Sequence, residues 1–93
     1  MKIMATWSLR PGASLSETIG RFLAGKAAPP EGIAMLGRWH SMDLSCGFTL
    51  YETSDAALMY GIATQWADLL EIRNFVVIDD SEAGPILAKN FAK

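Results

Sequence analysis

Ile33-Ala34-Met35-Leu36-Gly37-Arg38-Trp39-His40 and Cys46-Gly47-Phe48-Thr49-Leu50-Tyr51-Glu52-Thr53 are two strand-like runs on either side of a polar break at Ser41 to Ser45. Together they predict a hairpin. Strict alternation puts Ile33, Met35, Gly37 and Trp39 on one face of the first run, and Ala34, Leu36, Arg38 and His40 on the other. In the second run Cys46, Phe48, Leu50 and Glu52 oppose Gly47, Thr49, Tyr51 and Thr53. Gly37 is unusual inside a strand and marks a bulge or a close approach. A bulge in either run would shift these faces by one residue.

Outward from the hairpin, each side reads as one helix and one strand. Residues 2–9 alternate as a strand, with Ile3, Ala5, Trp7 and Leu9 on an apolar face and Met4, Thr6 and Ser8 on a mixed one. Arg10-Pro11-Gly12 ends it. A helix over 15–26 follows, with Ser14 and Glu17 at capping-box spacing and a stripe of Leu15, Ile19, Phe22 and Leu23. Gly20 and Gly25 weaken it, and Pro29-Pro30 exclude its continuation. Beyond the hairpin, Ser54 or Asp55 caps a helix over 56–70 striped by Leu58, Ile62 and Trp66. Residues 71–79 form the last strand. Asp79-Asp80-Ser81 stops it and caps a short tail helix, in which Pro85 is tolerable only in the first turn.

The order strand, helix, strand, strand, helix, strand is the split β-α-β arrangement. It predicts one ferredoxin-like α+β domain over 1–93, with both main helices on one face of an antiparallel sheet. The other face is then bare and holds Met4, Leu36, Phe75 and Val77 beside Thr6, Arg38, His40, Thr49 and Tyr51. That much exposed apolar surface calls for a partner. The expectation is a homodimer joined through the sheet faces, a dimeric α/β barrel whose polar members line a semi-enclosed cavity.

Composition points the same way. Of 93 residues, 51% are hydrophobic, with three tryptophans and five methionines. A chain this short has a thin stability margin that a homodimer would relieve. The net charge is −2, from eight basic and ten acidic residues, and the basic ones are scattered. Nucleic acid is therefore not an expected partner. The lone Cys46 excludes an intrachain disulfide and a cysteine metal cluster. No run approaches the roughly 20 apolar residues of a membrane span, and the N-terminus fits a signal peptide poorly. The expected compartment is the cytoplasm.

Pro29-Pro30-Glu31-Gly32-Ile33-Ala34-Met35-Leu36-Gly37-Arg38-Trp39-His40 resembles the signature of a bacterial domain-of-unknown-function family, number 3303. The opening Met1-Lys2-Ile3-Met4-Ala5-Thr6-Trp7-Ser8 and the helical Gln65-Trp66-Ala67-Asp68 are similar to it too. The resemblance covers nearly the whole chain. It implies kinship with dimeric α/β barrel proteins, among them cofactor-free monooxygenases, haem-degrading enzymes and small isomerases. It brings no catalytic motif that matches residue by residue.

His40, the single histidine, is the sharpest candidate for acid–base work, because imidazole titrates near neutrality. In a cavity the imidazole could also ligate haem iron, but no cofactor is expected. Arg38 has a planar fork suited to a carboxylate or enolate oxygen, or to an ion pair between subunits. Thr6, Thr49 and Tyr51 are pocket candidates through their hydroxyls, and are equally at home as ordinary strand residues. The tryptophans read mainly as core, with Trp66 a possible pocket wall. Asp79, Asp80 and Glu82 read as capping and solvation rather than a metal site. These residues point first to a homodimeric barrel that binds a small molecule or serves as an assembly module. The alternative is a cofactor-independent monooxygenase or isomerase acting on a small aromatic or enolisable metabolite, with His40 as acid/base and Arg38 as anion clamp.

Overall fold

Lys2–Leu9 (β1) lies at the centre of a four-stranded sheet in a computed structural model that describes residues 1–91. Its neighbours are Cys46–Glu52 (β3) and Leu70–Val77 (β4), and Ala34–His40 (β2) is added outside β3. The order is β2-β3-β1-β4, with every neighbouring pair antiparallel. The two helical connections are Leu15–Arg21 (α1) and Ala56–Trp66 (α2), and Asp80–Phe91 (α3) follows β4. This is roughly the ferredoxin-like topology of an α+β fold.

The dimeric barrel expectation is corrected by this sheet. β2 and β4 are its two edges and do not pair with each other, so the sheet is open.

The hairpin turn is held by side chains. Asp43 Oδ1 accepts from the Ser45 backbone N–H at 3.0 Å and from the Ser41 and Ser45 hydroxyls at 2.8 and 2.6 Å. These bonds, led by those to Ser45, hold the Asp43 carboxyl down at about 2. Leu44 closes the turn with φ +65°, a left-handed conformation that side chains beyond glycine rarely take.

A bulge in β2 decides which residues reach the helices. Met35 pairs with Tyr51, but Gly37, not Leu36, pairs with Leu50. Leu36 is the extra residue. Past it, Arg38 lies opposite Thr49, Trp39 opposite Phe48, and His40 opposite Gly47. Thr49 and Tyr51 in turn lie opposite Ala5 and Ile3. Ile3, Ala5 and Tyr51 are buried with Met59 of α2, so theirs is the helix-covered face. Arg38 and His40 therefore face the helices, and Trp39 faces away. Strict alternation fails from the bulge onward.

The core has two centres. Ile3, Ala5, Ile33, Tyr51 and Met59 form one. Trp66, Leu69 and Leu70 form the other, with Trp7, Leu9 and Ile72 packed beside them. The first lies between β1, β3 and α2, the second between β1, β4 and α2. Asp55 starts α2 by accepting from the Ala57 N–H at 3.0 Å. α2 ends at Trp66, short of the expected 70, because the chain must turn to deliver Leu69 and Leu70 to the core.

α1 begins as the sequence expects, with Ser14 Oγ accepting from the Glu17 N–H at 3.1 Å. It does not run as one α-helix to residue 26. Phe22–Lys26 widens into a π-helical turn that breaks at Gly25, φ +81°, a conformation suited to glycine. Neither segment buries a residue. α1 thus stands off the sheet, tied by Arg21. The Arg21 guanidinium grips Asp68 with two N–H donors at 3.0 and 2.8 Å and also reaches the Gln65 carbonyl at 3.2 Å. α3 starts on Asp79, whose Oδ1 accepts from the Glu82 N–H at 3.1 Å. Pro85 lies beyond its first turn, and no α3 residue is buried.

Candidate functional site

A cavity of about 330 Å³ lies where α1 stands off the sheet. Its floor is the helix-side face of the sheet, with Trp7, Arg38, His40, Thr49 and Tyr51. Its roof is α1 and the π-helical turn, including Ile19, Phe22 and Lys26. Ile62 and Trp66 of α2 close the side. The exposed lining residues Leu23, Lys26, His40 and Leu44 mark its mouth. The lining is mostly apolar and aromatic, with a few polar groups at fixed places, the usual character of a small-molecule site.

The polar groups are already oriented. The Trp7 indole N–H donates to Thr49 Oγ1 at 3.2 Å, and Thr49 is 1% exposed. The Arg38 Nη2 donates to the Ala27 carbonyl at 2.6 Å, and the guanidinium lies 5.3 Å from the Phe22 ring centre. His40 stands edge-to-face with both Trp7 and Phe22, at 5.3 and 5.7 Å between ring centres. Phe22 is thus shared between Arg38 and His40 and joins the roof to the floor.

Four of the five site residues named from the sequence, Arg38, His40, Thr49 and Tyr51, come together here. They do so beneath the helices, not on the bare face where the alternation put them. Thr6 is separated from them. It pairs with Phe48 and Arg73 on the opposite face of the sheet. The bulge at Leu36 is the reason for Arg38 and His40, and the odd Gly37 was its trace in the sequence. For Thr49 and Tyr51 the reason is their pairing with Ala5 and Ile3. Phe22 was read only as part of the helix's apolar stripe and Lys26 was not singled out; the π-helical turn that carries both has no local signature beyond Gly25.

The enzyme reading with His40 as acid/base and Arg38 as anion clamp does not survive this geometry. It required a space between two sheets of a barrel. His40 instead packs between two aromatic rings, and among the described residues no carboxylate orients its imidazole, as a catalytic histidine's partner would. One of the Arg38 N–H donors is already held by the Ala27 carbonyl. Among the described residues there is also no cluster of three His, Cys, Asp or Glu able to hold a metal.

The chain matches the family described as Domain of unknown function (DUF3303) over residues 1–91. It belongs to DUF3303. Comparison with curated proteins and with solved structures found no match. Family membership therefore fixes no activity for the cavity, and this DUF3303 domain lacks the closed barrel expected from the resemblance. Among the described residues no helix is long and apolar enough to cross a membrane.

Proposed function

We propose that this DUF3303 domain binds a small, mainly apolar molecule between α1 and the sheet. The observation that carries the reading is the cavity itself: about 330 Å³, walled by Trp7, Phe22, Ile62 and Trp66, with few polar groups. Its size is at the lower end of ligand pockets, which run from about 300 to 1,000 Å³. A roof that buries none of its own residues suits a ligand that supplies the missing contacts. The test is titration with the neutral dye N-phenyl-1-naphthylamine, against wild type and Ala28→Trp. Ala28 is an exposed lining residue, so an indole there fills the cavity from its wall. One dye per chain, displaced in the variant, is expected. Equal binding to both proteins defeats the proposal.

A second copy of the chain is the partner proposed for the helix-free sheet face, without closure into a barrel. Trp39, Phe48 and Phe75 are 54%, 40% and 50% exposed there. Lys2, Arg73, Glu52 and Glu71 share that face, so the patch carries both charges and suits a two-fold contact with itself. Sedimentation should give twice the 10.1 kDa chain mass, and Trp39→Lys should return it to the monomer. A wild type that remains monomeric at about 100 μM, a concentration at which even a weak contact of ~5.5 kcal/mol would be half-formed, ends the idea.

A further inference from the structure

We infer that the molecule held in the cavity is an apolar monoanion, an aromatic carboxylate being the type case. The inference rests on the cavity being a ligand site and goes on to assign the ligand's charge. Two cationic side chains, Lys26 and Arg38, line the cavity, and among the described residues no Asp or Glu does. Both cations belong to one end of it. Arg38 donates to the carbonyl of Ala27, the residue after Lys26.

Three acids are occupied elsewhere, and Glu31, the nearest to Lys26 in the chain, does not line the cavity. Asp68 and Glu17 pair with Arg21, at 2.8 and 3.8 Å. Asp43 is turned into the hairpin bend by Ser41 and Ser45. Lys26 has no ion pair among the described residues. Its ammonium is exposed and uses a flexible stem, so it can swing to an anion at the mouth. Arg38 adds its charge, and four of its five N–H donors remain beyond the one given to Ala27.

The rest of the lining sets the other half of the ligand. Trp7, Ile62, Trp66, Leu70 and Ile72 offer apolar and aromatic surface, with Trp7's one donor already spent on Thr49. A second charged group would be left unpaired there, at a cost that excludes it. One negative charge at the Lys26 end and a flat apolar body against the tryptophans match the two cations and the apolar walls of the cavity.

The experiment is calorimetric titration of three isosteric probes: 2-naphthoate, 2-naphthalenemethanol and 2-naphthylmethylammonium. At low salt the acid should bind at least about tenfold more tightly than the alcohol, and the ammonium more weakly than either. Lys26→Met should cut the acid's advantage to about threefold or less while keeping the alcohol's affinity. Lys26 is exposed, so this variant tests the charge without touching the core; Arg38→Met, which also loses the Ala27 bond, serves as the second variant. Equal binding of acid and alcohol overturns the charge assignment and leaves the cavity as a ligand site. Preference for the acid unchanged in both variants overturns it too, because the anion then lies elsewhere. Failure of all three probes to bind overturns the cavity reading itself.

Discussion

The indole of Trp7 occupies the space that any side chain at Gly47 would need. A Cβ at residue 47 would overlap the ring. The two residues face each other across β1 and β3. The absence of a side chain lets the ring lie down on the strand, where its N–H meets Thr49 and its edge meets His40. Gly47→Ala should therefore cost about 1–3 kcal/mol in chemical denaturation, the usual penalty of overpacking. The same variant should change Trp7 fluorescence. An alanine tolerated with no loss of stability would show that the ring has another place to go.

Thr49→Val keeps the shape at a fully enclosed position and removes the acceptor. It should leave the Trp7 N–H without a partner at a cost of about 1–3 kcal/mol. Thr49→Ser should recover most of that. A valine variant as stable as wild type would mean that the bond has no net worth.

The Arg21–Asp68 grip is what holds the cavity's roof. Arg21 also lies 5.2 Å over the Trp66 ring. Arg21→Ala should speed amide exchange over 15–26 while leaving exchange in β1 and β3 unchanged. Its effect on a bound probe should appear mainly as faster release. Uniform acceleration through the whole chain would instead mean that the contact supports the fold.

The tail helix should respond to acid. Bonds from the Ser81 hydroxyl, Lys2 and the Glu82 N–H hold the Asp79 carboxyl at about 2, below its usual value. A depressed carboxyl stabilises the folded form above its unfolded value and loses that contribution as pH falls through the folded one. Helical signal from α3 should thus fade from about pH 4 down to about pH 2. Asp79→Asn, still able to cap, should lose less helix over that range than wild type. An identical acid profile for the two proteins would contradict a role for this charge.

The element order was legible in the sequence because alternation and helical spacing repeat over whole segments. Ile3, Ala5 and Trp7 fall on the covered face as their pattern requires. The capping residues Ser14 and Asp55 were equally visible, since a cap is local. What was not legible depended on events of one residue. The extra Leu36 in β2 reverses Arg38, Trp39 and His40, and no pattern within the strand reveals it except the misplaced Gly37. The π-helical turn at Phe22–Lys26 is of the same kind: a small change of winding that brings Lys26 to the cavity. The openness of the sheet was missed for another reason. Exposed apolar residues such as Phe75 report that a face wants cover and carry no information on the geometry of that cover.

The bulge makes β2 a strand of two parities. Before it the odd-numbered residues look inward; after it the even-numbered ones do. Removing Leu36 would leave every pair as it stands, because Met35 would run straight into Gly37. Pairing Leu36 into the ladder would instead impose a single parity and turn over the half of the strand beyond it. If Ile33 keeps its buried seat, Arg38 and His40 then leave the cavity and Trp39 enters. The interior would trade a cation and an imidazole for an indole, and the outer face would gain two polar groups where its largest aromatic had stood. One residue of register thus separates a sheet with a charged inner surface and a sticky outer one from a sheet with those characters exchanged.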